Sequence, residues 1–349
     1  MQRILITEGD TAVSEVVIGE GLLADAARHL PERESRQKIA VIAQPTIGPF
    51  VDELASSLAE SGAEVAVVPL PDGEQAKTLA TVEAVALELN RLGLSRGDTI
   101  VGIGGGAATD VAGFVAATYL RGVECVVAPT TLLGAVDASI GGKTGVNAGG
   151  KNLLGVFQHP SRVLVDISAI RSIPDELLIQ GTAEALKAGF VGDPRLVDLY
   201  HEHGIDAPLE EVIGRAIAVK ARIVSQDFRE GGVRAYLNYG HTIGHAVEVA
   251  GSTSHGEAVA IGMVAAGFVG ERMVGFERRI EQEDLIGELG LPTRSPTVDP
   301  LEVARLMALD KKRDAGGIRF VVLETFGVPR VVHPDDATVR ASLSAIGID

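Results

Sequence analysis

Residues 98–110 read DTIVGIGGGAATD, an apolar run that enters three consecutive glycines and continues into a segment of helical character. The apolar run predicts a buried strand over Asp98–Ile103, and the glycines predict a tight turn at its end. Glycines in such a turn let backbone N–H groups approach a phosphate at the positive end of a helix. Because the spacing is not the standard G-x-G-x-x-G, both a pyrophosphate site and a plain tight turn stay open.

Strand-like and helix-like segments alternate on both sides of this stretch. Strands are predicted at Lys38–Ile42, Glu64–Pro69 and Val123–Ala128, and helices at Phe50–Ser61 and Thr78–Leu92. Continuous apolar strands separated by helices indicate a parallel sheet that is covered on both faces. The sequence therefore predicts an α/β, Rossmann-like N-terminal domain over residues 1–165.

From about Ile173 the pattern changes to long helical segments. They are predicted at Glu176–Phe190, Leu209–Asp227, Asn238–Ala250, Glu257–Val274, Glu281–Leu289 and Pro300–Leu309. Near the end of the chain only Phe320–Leu323 reads as a strand. We therefore predict a mainly α-helical second domain over residues 166–349, and we expect a ligand in the cleft between the two domains.

Composition narrows the function classes. The chain of 349 residues has 31 Lys and Arg against 47 Asp and Glu, a net charge of −16, whereas nucleic-acid binding needs a basic field. Its single cysteine, Cys125, excludes an internal disulfide and is expected to be a buried core thiol. The N-terminus lacks a secretion-signal pattern, and the longest apolar stretch, Ala258–Gly270, is shorter than the roughly 20 residues of a membrane span. We expect a soluble, cytoplasmic protein without nucleic-acid or membrane partners.

Two loops carry polar groups suited to anions. Pro129–Gly155 lacks strand or helix periodicity yet contains Asp137, Lys143, Lys151 and Asn152 among glycines. Long unpatterned stretches in compact domains are usually functional, and lysines among glycines suit a phosphate or a carboxylate. The turn at 72–77, DGEQAK, offers carboxylates and a lysine. Solvated surface lysines and a solvated surface turn are the alternatives for these loops.

A carboxylate and three histidines are candidate metal ligands. Glu184 lies in GTAEALK, His241 and His245 in NYGHTIGHAVE, and His255 in SHGEAV. His241 and His245 are four residues apart, so they share one face of a helix. Two histidines and one carboxylate, with one coordination position left for substrate, form a common catalytic zinc set. The alternative is a partly buried histidine cluster bonded to backbone carbonyls.

Read together, these segments resemble the 3-dehydroquinate synthases of the sugar-phosphate cyclase family. The resemblance covers about 72–323 and follows the family's order through DGEQxK, GGGxxxDxxGFxAAxYxRG, PTTLLxxVDxSxGGKTGVN, GKNLxGxFxxP, GxAExxKxG, LNxGHTxGHA, HGEAVxxGM and DKKxxxG. It implies a dehydroquinate synthase-like fold, related to that of iron-dependent alcohol and glycerol dehydrogenases. It also implies a homodimer and a phosphorylated sugar-acid substrate.

The resemblance implies roles for individual residues. Around NAD it places Asp72, Gly73, Glu74, Gln75, Ala76, Lys77, Gly105, Gly106, Ala107, Ala108, Thr109, Asp110, Thr130, Thr131, Lys143, Lys151, Ala169, Ile170, Arg171 and Ser172. As ligands of zinc, with cobalt as the alternative metal, it places Glu184, His241 and His255. For substrate binding or acid–base catalysis it places Arg121, Asp137, Lys143, Asn152, Lys187, Lys220, Arg234, Asn238, His245 and one of Lys311 and Lys312, of which we assign Lys312.

The implied reaction converts 3-deoxy-arabino-heptulosonate 7-phosphate to 3-dehydroquinate and phosphate in the shikimate pathway. It proceeds by NAD-mediated transient oxidation, β-elimination of phosphate, re-reduction and intramolecular aldol closure. His245 is the expected proton shuttle, because a neutral imidazole titrates near physiological pH. One departure is Gln44, where many relatives have an aspartate for the adenosine ribose.

Three other functions stay open. A related cyclase would act on an amino analogue of the substrate or on a heptulose phosphate, as the amino-dehydroquinate and valiolone types do. A metal- and NAD-dependent polyol dehydrogenase would accumulate NADH. A non-catalytic NAD-binding protein would not need the Glu184, His241 and His255 set.

Overall fold

The computed structural model describes residues 1–31, 37–251, 253–311 and 318–349, without the side chains of 309–311. The chain forms two compact units. Unit 1 comprises Met1–Pro174 and Lys220–Phe228, and unit 2 comprises Asp175–Val219 and Arg229–Asp349. The predicted division at residue 165 and the roles assigned to its two sides stay predictions. No helix within the described ranges combines the length and the apolarity needed to cross a bilayer.

Unit 1 is built on a seven-stranded sheet. The strands of the unit are β1 (Gln2–Glu8), β2 (Thr11–Gly19), β3 (Lys38–Ala43), β4 (Glu64–Pro69), β5 (Thr99–Gly104), β6 (Glu124–Pro129), β7 (Lys143–Val146), β8 (Leu154–Phe157) and β9 (Arg162–Asp166). The large sheet has the order β1-β2-β9-β6-β5-β3-β4, and β7 and β8 form a separate hairpin. All neighbours from β2 to β4 in this order are parallel, which confirms the predicted α/β sheet.

The antiparallel edge strand β1 was not expected from the sequence. It pairs with β2 across a two-residue turn, Gly9-Asp10, in which Gly9 has φ +58°. A Gly-Asp turn between two short strands is a hairpin signal, because glycine adopts positive φ without steric cost. The strand β1 has Arg3 and Glu8 at exposed positions, so it lacks the continuous apolar pattern of the parallel strands.

The first and third helices of unit 1 pack against this sheet, and the second packs against the third. The helices of the unit are α1 (Gly48–Glu60), α2 (Leu79–Arg91), α3 (Gly106–Thr118) and α4 (Ile167–Arg171). The helix α3 lies very close to β5, since a Cβ at Gly102 would lie 2.3 Å from the Cβ of Ala112. The glycine in the middle of β5 therefore permits the helix to approach the strand. Cys125 on β6 is a free buried thiol whose pKa burial raises to about 12, as expected for the core.

Unit 2 is mainly helical, as predicted. Its helices are α5 (Asp175–Gly192), α6 (Pro194–His203), α7 (Leu209–Gln226), α8 (His241–Gly251), α9 (His255–Val274), α10 (Arg279–Glu288), α11 (Pro300–Lys311) and α12 (Asp336–Ala345). The helix α7 belongs to unit 2 only as far as Val219, and its last residues, from Lys220, belong to unit 1. The prediction of one strand near the end is wrong. The strand β10 (Phe320–Thr325) pairs antiparallel with a second strand, β11 (Val328–Val332). The strand β11 was not predicted because it contains Pro329. Proline cannot donate a hydrogen bond to a β-ladder and is typical of edge strands.

Candidate functional site

Glu184, His241 and His255 converge within unit 2. The Glu184 carboxylate lies on α5 and is 2% exposed, and the two histidines are the first residues of α8 and α9. Glu184 Oε1 lies 3.5 Å from His241 Nε2 and 3.4 Å from His255 Nε2. One donor atom from each residue lies within 4.8 Å of the others. One carboxylate oxygen and two imidazole nitrogens at these distances fit a divalent metal ion with a coordination position left open.

Close packing of α8 on α9 brings the two histidines together. A Cβ at Gly262 on α9 would lie 1.8 Å from the carbonyl oxygen of Gly240, the residue before His241. A Cβ at Gly244 on α8 would lie 2.8 Å from the carbonyl oxygen of Ala258 on α9. The two helices therefore meet backbone to backbone, at a distance that larger residues would prevent.

A capping box sets the start of α9. The Ser254 hydroxyl accepts a hydrogen bond from the backbone N–H of Glu257, and the Glu257 carboxylate accepts one from the backbone N–H of Ser254 at 3.0 Å. These bonds satisfy donors that a helix N-terminus leaves unpaired. His255 follows Ser254 directly, so the box places the imidazole at a defined position on the first turn.

The two candidate ligand histidines differ in their proton affinity. Burial, aided by the charge of Lys187, holds the pKa of His241 well below its usual range. Burial also lowers the pKa of His255, but hydrogen bonds to Glu184 and Glu248 more than offset it and raise this pKa to about 9. His241 Nδ1 lies 3.2 Å from the carbonyl oxygen of Tyr239. Because a carbonyl oxygen can only accept, Nδ1 carries the proton in this contact. Nε2, which faces Glu184, is then unprotonated and able to bind a metal ion.

Lys187 and His245 lie next to these three residues. Lys187 is one helical turn after Glu184 on α5, and its buried ammonium contacts the Glu184 carboxylate. His245 is exposed on α8, with its ring 5.0 Å from that of His241 and 6.1 Å from that of His255. Donor atoms of His245, Glu248 and His255 form a second group within 4.8 Å. Sequence reasoning did not select Glu248, although its spacing of seven from His241 places it on the same helix face.

Two further predicted residues of unit 2 precede α8 in a 3-10 helix, Val233–Asn238. Arg234 is 2% exposed, which is unusual for a guanidinium. The Asn238 amide donates to Glu230 Oε1 at 2.7 Å, and Glu230 has a left-handed φ of +62°. Lys312 lies outside the described residues, and the side chain of Lys311 is not described either.

In unit 1 the residues predicted to bind NAD follow the carboxyl ends of parallel strands. Residues 72–77 follow β4, 105–110 follow β5, 130–131 follow β6, and 169–172 follow β9. Since these strands are parallel, all four segments begin at one edge of the sheet. The strand order reverses between β3 and β5, because β4 is added outside β3 while β6 and β9 are added beyond β5. Ligands of open α/β sheets bind at such a switch point.

The glycine turn after β5 places no side chain of its own at the N-terminus of α3. Gly104 has φ +146°, and a Cβ there would lie 2.7 Å from the Cβ of Ala108. The helix begins at Gly106 after Gly105, and a Cβ at Gly106 would lie 3.2 Å from the Cβ of Ala138. Glycine is therefore required at 104, and a side chain at 106 would press against Ala138. Backbone N–H groups at a positive helix end fit a pyrophosphate.

Gln44 lies at the switch point, directly after β3. Its amide nitrogen donates to the carbonyl oxygens of Pro71 and Gly73, each at 3.0 Å. Its side-chain oxygen would lie 3.9 Å from a Cβ at Gly104. Gln44 therefore holds the turn that begins at Asp72 next to the glycine turn.

Lys77, Asp110 and Asn152 form a polar cluster in unit 1. The Lys77 ammonium lies 2.6 Å from Asp110 Oδ2 and also contacts the side-chain oxygen of Asn152. The Asn147 side chain holds the loop that contains Asn152. Its amide nitrogen donates to Glu74 Oε1 at 2.9 Å, and its amide oxygen accepts from the backbone N–H of Asn152 at 2.8 Å. Burial raises the pKa of Asp110 to about 6, against the opposing charge of Lys77. The cluster joins two of the predicted cofactor-binding segments to Asn152, which was predicted to face the substrate.

Replacing Lys77 by Met is expected to lower the free energy of unfolding by about 3–5 kcal/mol, because it leaves the Asp110 carboxylate, which is only 17% exposed, without its cation. The measurement is denaturant unfolding at pH 7. The double variant Lys77→Met/Asp110→Asn also removes the unpaired carboxylate charge, so it is expected to recover much of the lost free energy of unfolding. The deficit of the single variant should also shrink as the pH falls, beginning above about pH 6, because loss of Lys77 removes the charge that lowers the pKa of Asp110. A double variant as unstable as the single one would contradict this account.

The remaining predicted residues of unit 1 are also located. Lys220 is buried on α7, and its ammonium donates to the backbone carbonyl of Asp137 at 2.7 Å and to the Asp137 carboxylate. Lys143 at the start of β7 and Lys151 in the loop before β8 are exposed. Arg121 is exposed with φ +67°, next to Leu120 with φ +51°. Two successive left-handed non-glycine residues are strained, and such strain clusters at functional sites.

Comparison with known proteins assigns the chain to a family. The sequence model described as 3-dehydroquinate synthase N-terminal matches residues 67–180, and the one described as 3-dehydroquinate synthase C-terminal matches residues 181–313. The chain belongs to the 3-dehydroquinate synthase family. A 3-dehydroquinate synthase of Mycolicibacterium gilvum is 41% identical over 350 aligned positions, and the alignment covers 96% of each chain. The predicted family and fold are thus confirmed.

Solved structures of related cyclases have the same fold. A 2-deoxy-scyllo-inosose synthase complexed with carbaglucose-6-phosphate, NAD+ and Co2+ is 25% identical, with a TM-score of 0.88 over 98% of this chain and 99% of that one. A 2-epi-5-epi-valiolone synthase from Streptomyces hygroscopicus subsp. jinggangensis, with NAD+ and Zn2+ bound, is 27% identical, with a TM-score of 0.87 over 97% of both chains. This member of the 3-dehydroquinate synthase family therefore shares its architecture with cyclases of other substrates.

Proposed function

We propose that the chain is a 3-dehydroquinate synthase, which converts 3-deoxy-arabino-heptulosonate 7-phosphate to 3-dehydroquinate and phosphate. The observation that carries the proposal is the 41% identity to a curated synthase over 96% of both chains. The glutamate and two histidines of unit 2 support it, since they form a donor set suited to a catalytic divalent ion.

The cofactors of this reaction would be NAD and a divalent metal, zinc or cobalt. The related cyclases carry NAD+ with Co2+ or Zn2+. Bound NAD supplies reversible hydride exchange, and the metal supplies Lewis-acid polarisation of a substrate oxygen. In this chain Glu184, His241 and His255 would hold the metal. The turns after β4, β5, β6 and β9 would hold NAD, with the pyrophosphate at the N-terminus of α3.

The chain's own side chains would bind the substrate and move protons. The buried cations Lys187, Lys220 and Arg234 would hold the phosphate and the carboxylate of the substrate, since a cation in a low-dielectric environment attracts an anion strongly. His245 is exposed beside His241, which supports a role in moving a proton to or from the substrate. Arg121, Asp137, Lys143, Asn152, Asn238 and Lys312 complete the proposed set of substrate-facing residues.

The test is phosphate release by the purified protein with NAD and zinc. With the heptulosonate 7-phosphate we expect one phosphate per 3-dehydroquinate formed, no net accumulation of NADH, loss of activity with a chelator and recovery when metal is restored. Stoichiometric NADH would instead identify a polyol dehydrogenase. Turnover of sedoheptulose 7-phosphate in place of the heptulosonate would identify a cyclase of the valiolone type.

The homodimeric state and the cytoplasmic location expected from the sequence stay predictions. Sedimentation at micromolar concentration tests the first, since a dimer has twice the 36.3 kDa of the chain. Fractionation of the producing cells tests the second.

A further inference from the structure

We propose that Glu248 is a positioning residue of the metal centre, which holds the His255 imidazole through Nδ1 so that Nε2 is available as a ligand. This inference rests on the metal centre of the proposed function. It concerns a carboxylate that the family resemblance did not assign.

The two nitrogens of His255 face two different carboxylates. Nε2 lies 3.4 Å from Glu184 Oε1, and Nδ1 lies 3.2 Å from Glu248 Oε2. The Glu248 side chain is 11% exposed, so its oxygens are largely withdrawn from water. Glu248 is on α8, three residues after His245 and seven after His241, and all three therefore share one face of that helix.

The hydrogen bond at Nδ1 controls what Nε2 can do. A histidine binds a metal through a nitrogen that carries no proton, and a proton held on one ring nitrogen leaves the other as the ligand. A carboxylate acceptor at Nδ1 orients the ring and makes the metal-binding nitrogen more basic. Glu248 is placed to act on His255 in this way.

The other histidine has a different acceptor. His241 Nδ1 lies 3.2 Å from the backbone carbonyl oxygen of Tyr239, a neutral group that no side-chain substitution removes. His255 instead depends on a side chain with a full negative charge. The contribution of the Nδ1 acceptor can therefore be measured at His255 by substitution, while the acceptor of His241 stays in place.

A rival arrangement uses the same residues. Donor atoms of His245, Glu248 and His255 also lie within 4.8 Å of one another, so Glu248 could itself be a ligand. In that arrangement His255 Nδ1 would contact the metal instead of donating to Glu248. In the first arrangement, substitution of Glu248 leaves every bond to the metal in place. In the rival arrangement, the same substitution removes one of these bonds.

The experiment compares metal affinity and coordination in Glu248→Ala, Glu248→Gln and a matched control. Apo-protein prepared by dialysis against a chelator is titrated with Zn2+ in competition with a chromophoric chelator, and the visible absorption of bound Co2+ reports the ligand set. The control is Glu202→Gln on α6, whose side chain is 48% exposed. Affinities are measured on the full chain, and the far-UV circular dichroism of each apo-protein is recorded as a check of folding.

We expect Glu248→Ala to weaken Zn2+ binding by about 10- to 100-fold, the range typical of a lost carboxylate partner of a ligand histidine. Glu248→Gln, whose side-chain oxygen can still accept from Nδ1, should lose less. The Co2+ spectrum should keep its shape in both variants, and Glu202→Gln should match the parent protein.

Unchanged Zn2+ affinity in Glu248→Ala would overturn the proposal, and so would a changed Co2+ spectrum in both variants, which would make Glu248 a ligand. A parent protein that binds no divalent metal would overturn this inference together with the metal centre. If the parent binds metal with the expected dependence on Glu248 but releases no phosphate, the proposed function fails while the positioning role stands.

Discussion

Glu184→Gln is expected to lose its bound divalent metal and its phosphate-releasing activity together. The Glu184 carboxylate is buried and lies within 3.5 Å of a nitrogen of each candidate ligand histidine. Glutamine keeps the size of the side chain but removes the negative charge, so an incoming cation loses its only carboxylate among these three donors. Since losing a hydrogen-bond partner of a ligand costs about 10- to 100-fold in metal affinity, losing the ligand itself should cost more than about 100-fold.

Metal content after dialysis and initial rates of phosphate release measure this prediction. The control Glu202→Gln makes the same chemical change at an exposed position of unit 2 and should retain both metal and activity. Near-UV circular dichroism of the apo-proteins separates loss of the ligand from loss of the fold. An active Glu184→Gln protein with a full complement of metal would refute the ligand assignment.

Gly262→Ala is expected to destabilise the protein by about 3 kcal/mol and to lower its metal affinity as well. The added Cβ would lie 1.8 Å from the carbonyl oxygen of Gly240 and 2.9 Å from the backbone nitrogen of Gly244. These are backbone atoms, so no change of rotamer relieves the overlap, and overpacking of this kind typically costs about 1–3 kcal/mol. The helix α8 would have to move from α9, which separates His241 from His255.

Gly287→Ala on α10 is the matched control for this substitution. Outside its own helix, the nearest described atom to its Cβ would be the Thr293 methyl carbon, at 3.7 Å. A Gly to Ala change inside a helix without overlap should stabilise the protein by about 0.5–1 kcal/mol. Gly244→Ala, with its closest contact at 2.8 Å, should fall between the two and remains informative if Gly262→Ala does not fold. Equal unfolding free energies and equal metal affinities for the Gly262 and Gly287 variants would contradict the role of the α8–α9 contact.

Local patterning predicted many of the regular elements that bury apolar surface. The strand predicted at Glu64–Pro69 is β4 as observed, and the helix predicted at Glu257–Val274 begins two residues earlier, at His255. Some of the missed elements lack that pattern, whereas β9, α6 and α12 bury apolar side chains and were overlooked. The strand β1 has charged residues at exposed positions, and β11 contains Pro329. Neither feature creates the periodicity from which an element is predicted.

Sequence reasoning about the site went less far than the structure. From the residues alone, His241, His245 and His255 were equivalent candidates, and only the family resemblance chose two of them with Glu184. The structure separates them, since His241 and His255 direct nitrogens at Glu184 whereas His245 is exposed and groups with Glu248. Glu248 itself was missed because a carboxylate on a helix looks the same in a sequence whether it faces water or a histidine.

The amino-acid sequence alone determined the alternation of strands and helices, the glycine turn after β5, the family and the residues able to bind an anion or a metal. These properties depend on residue type and short-range spacing, which a linear chain displays directly. Only the tertiary structure decided that Glu184, His241 and His255 meet and that His255 has Glu248 as its second partner. That meeting depends on the close packing of α8 on α9, a long-range contact that Gly262 permits by lacking a side chain.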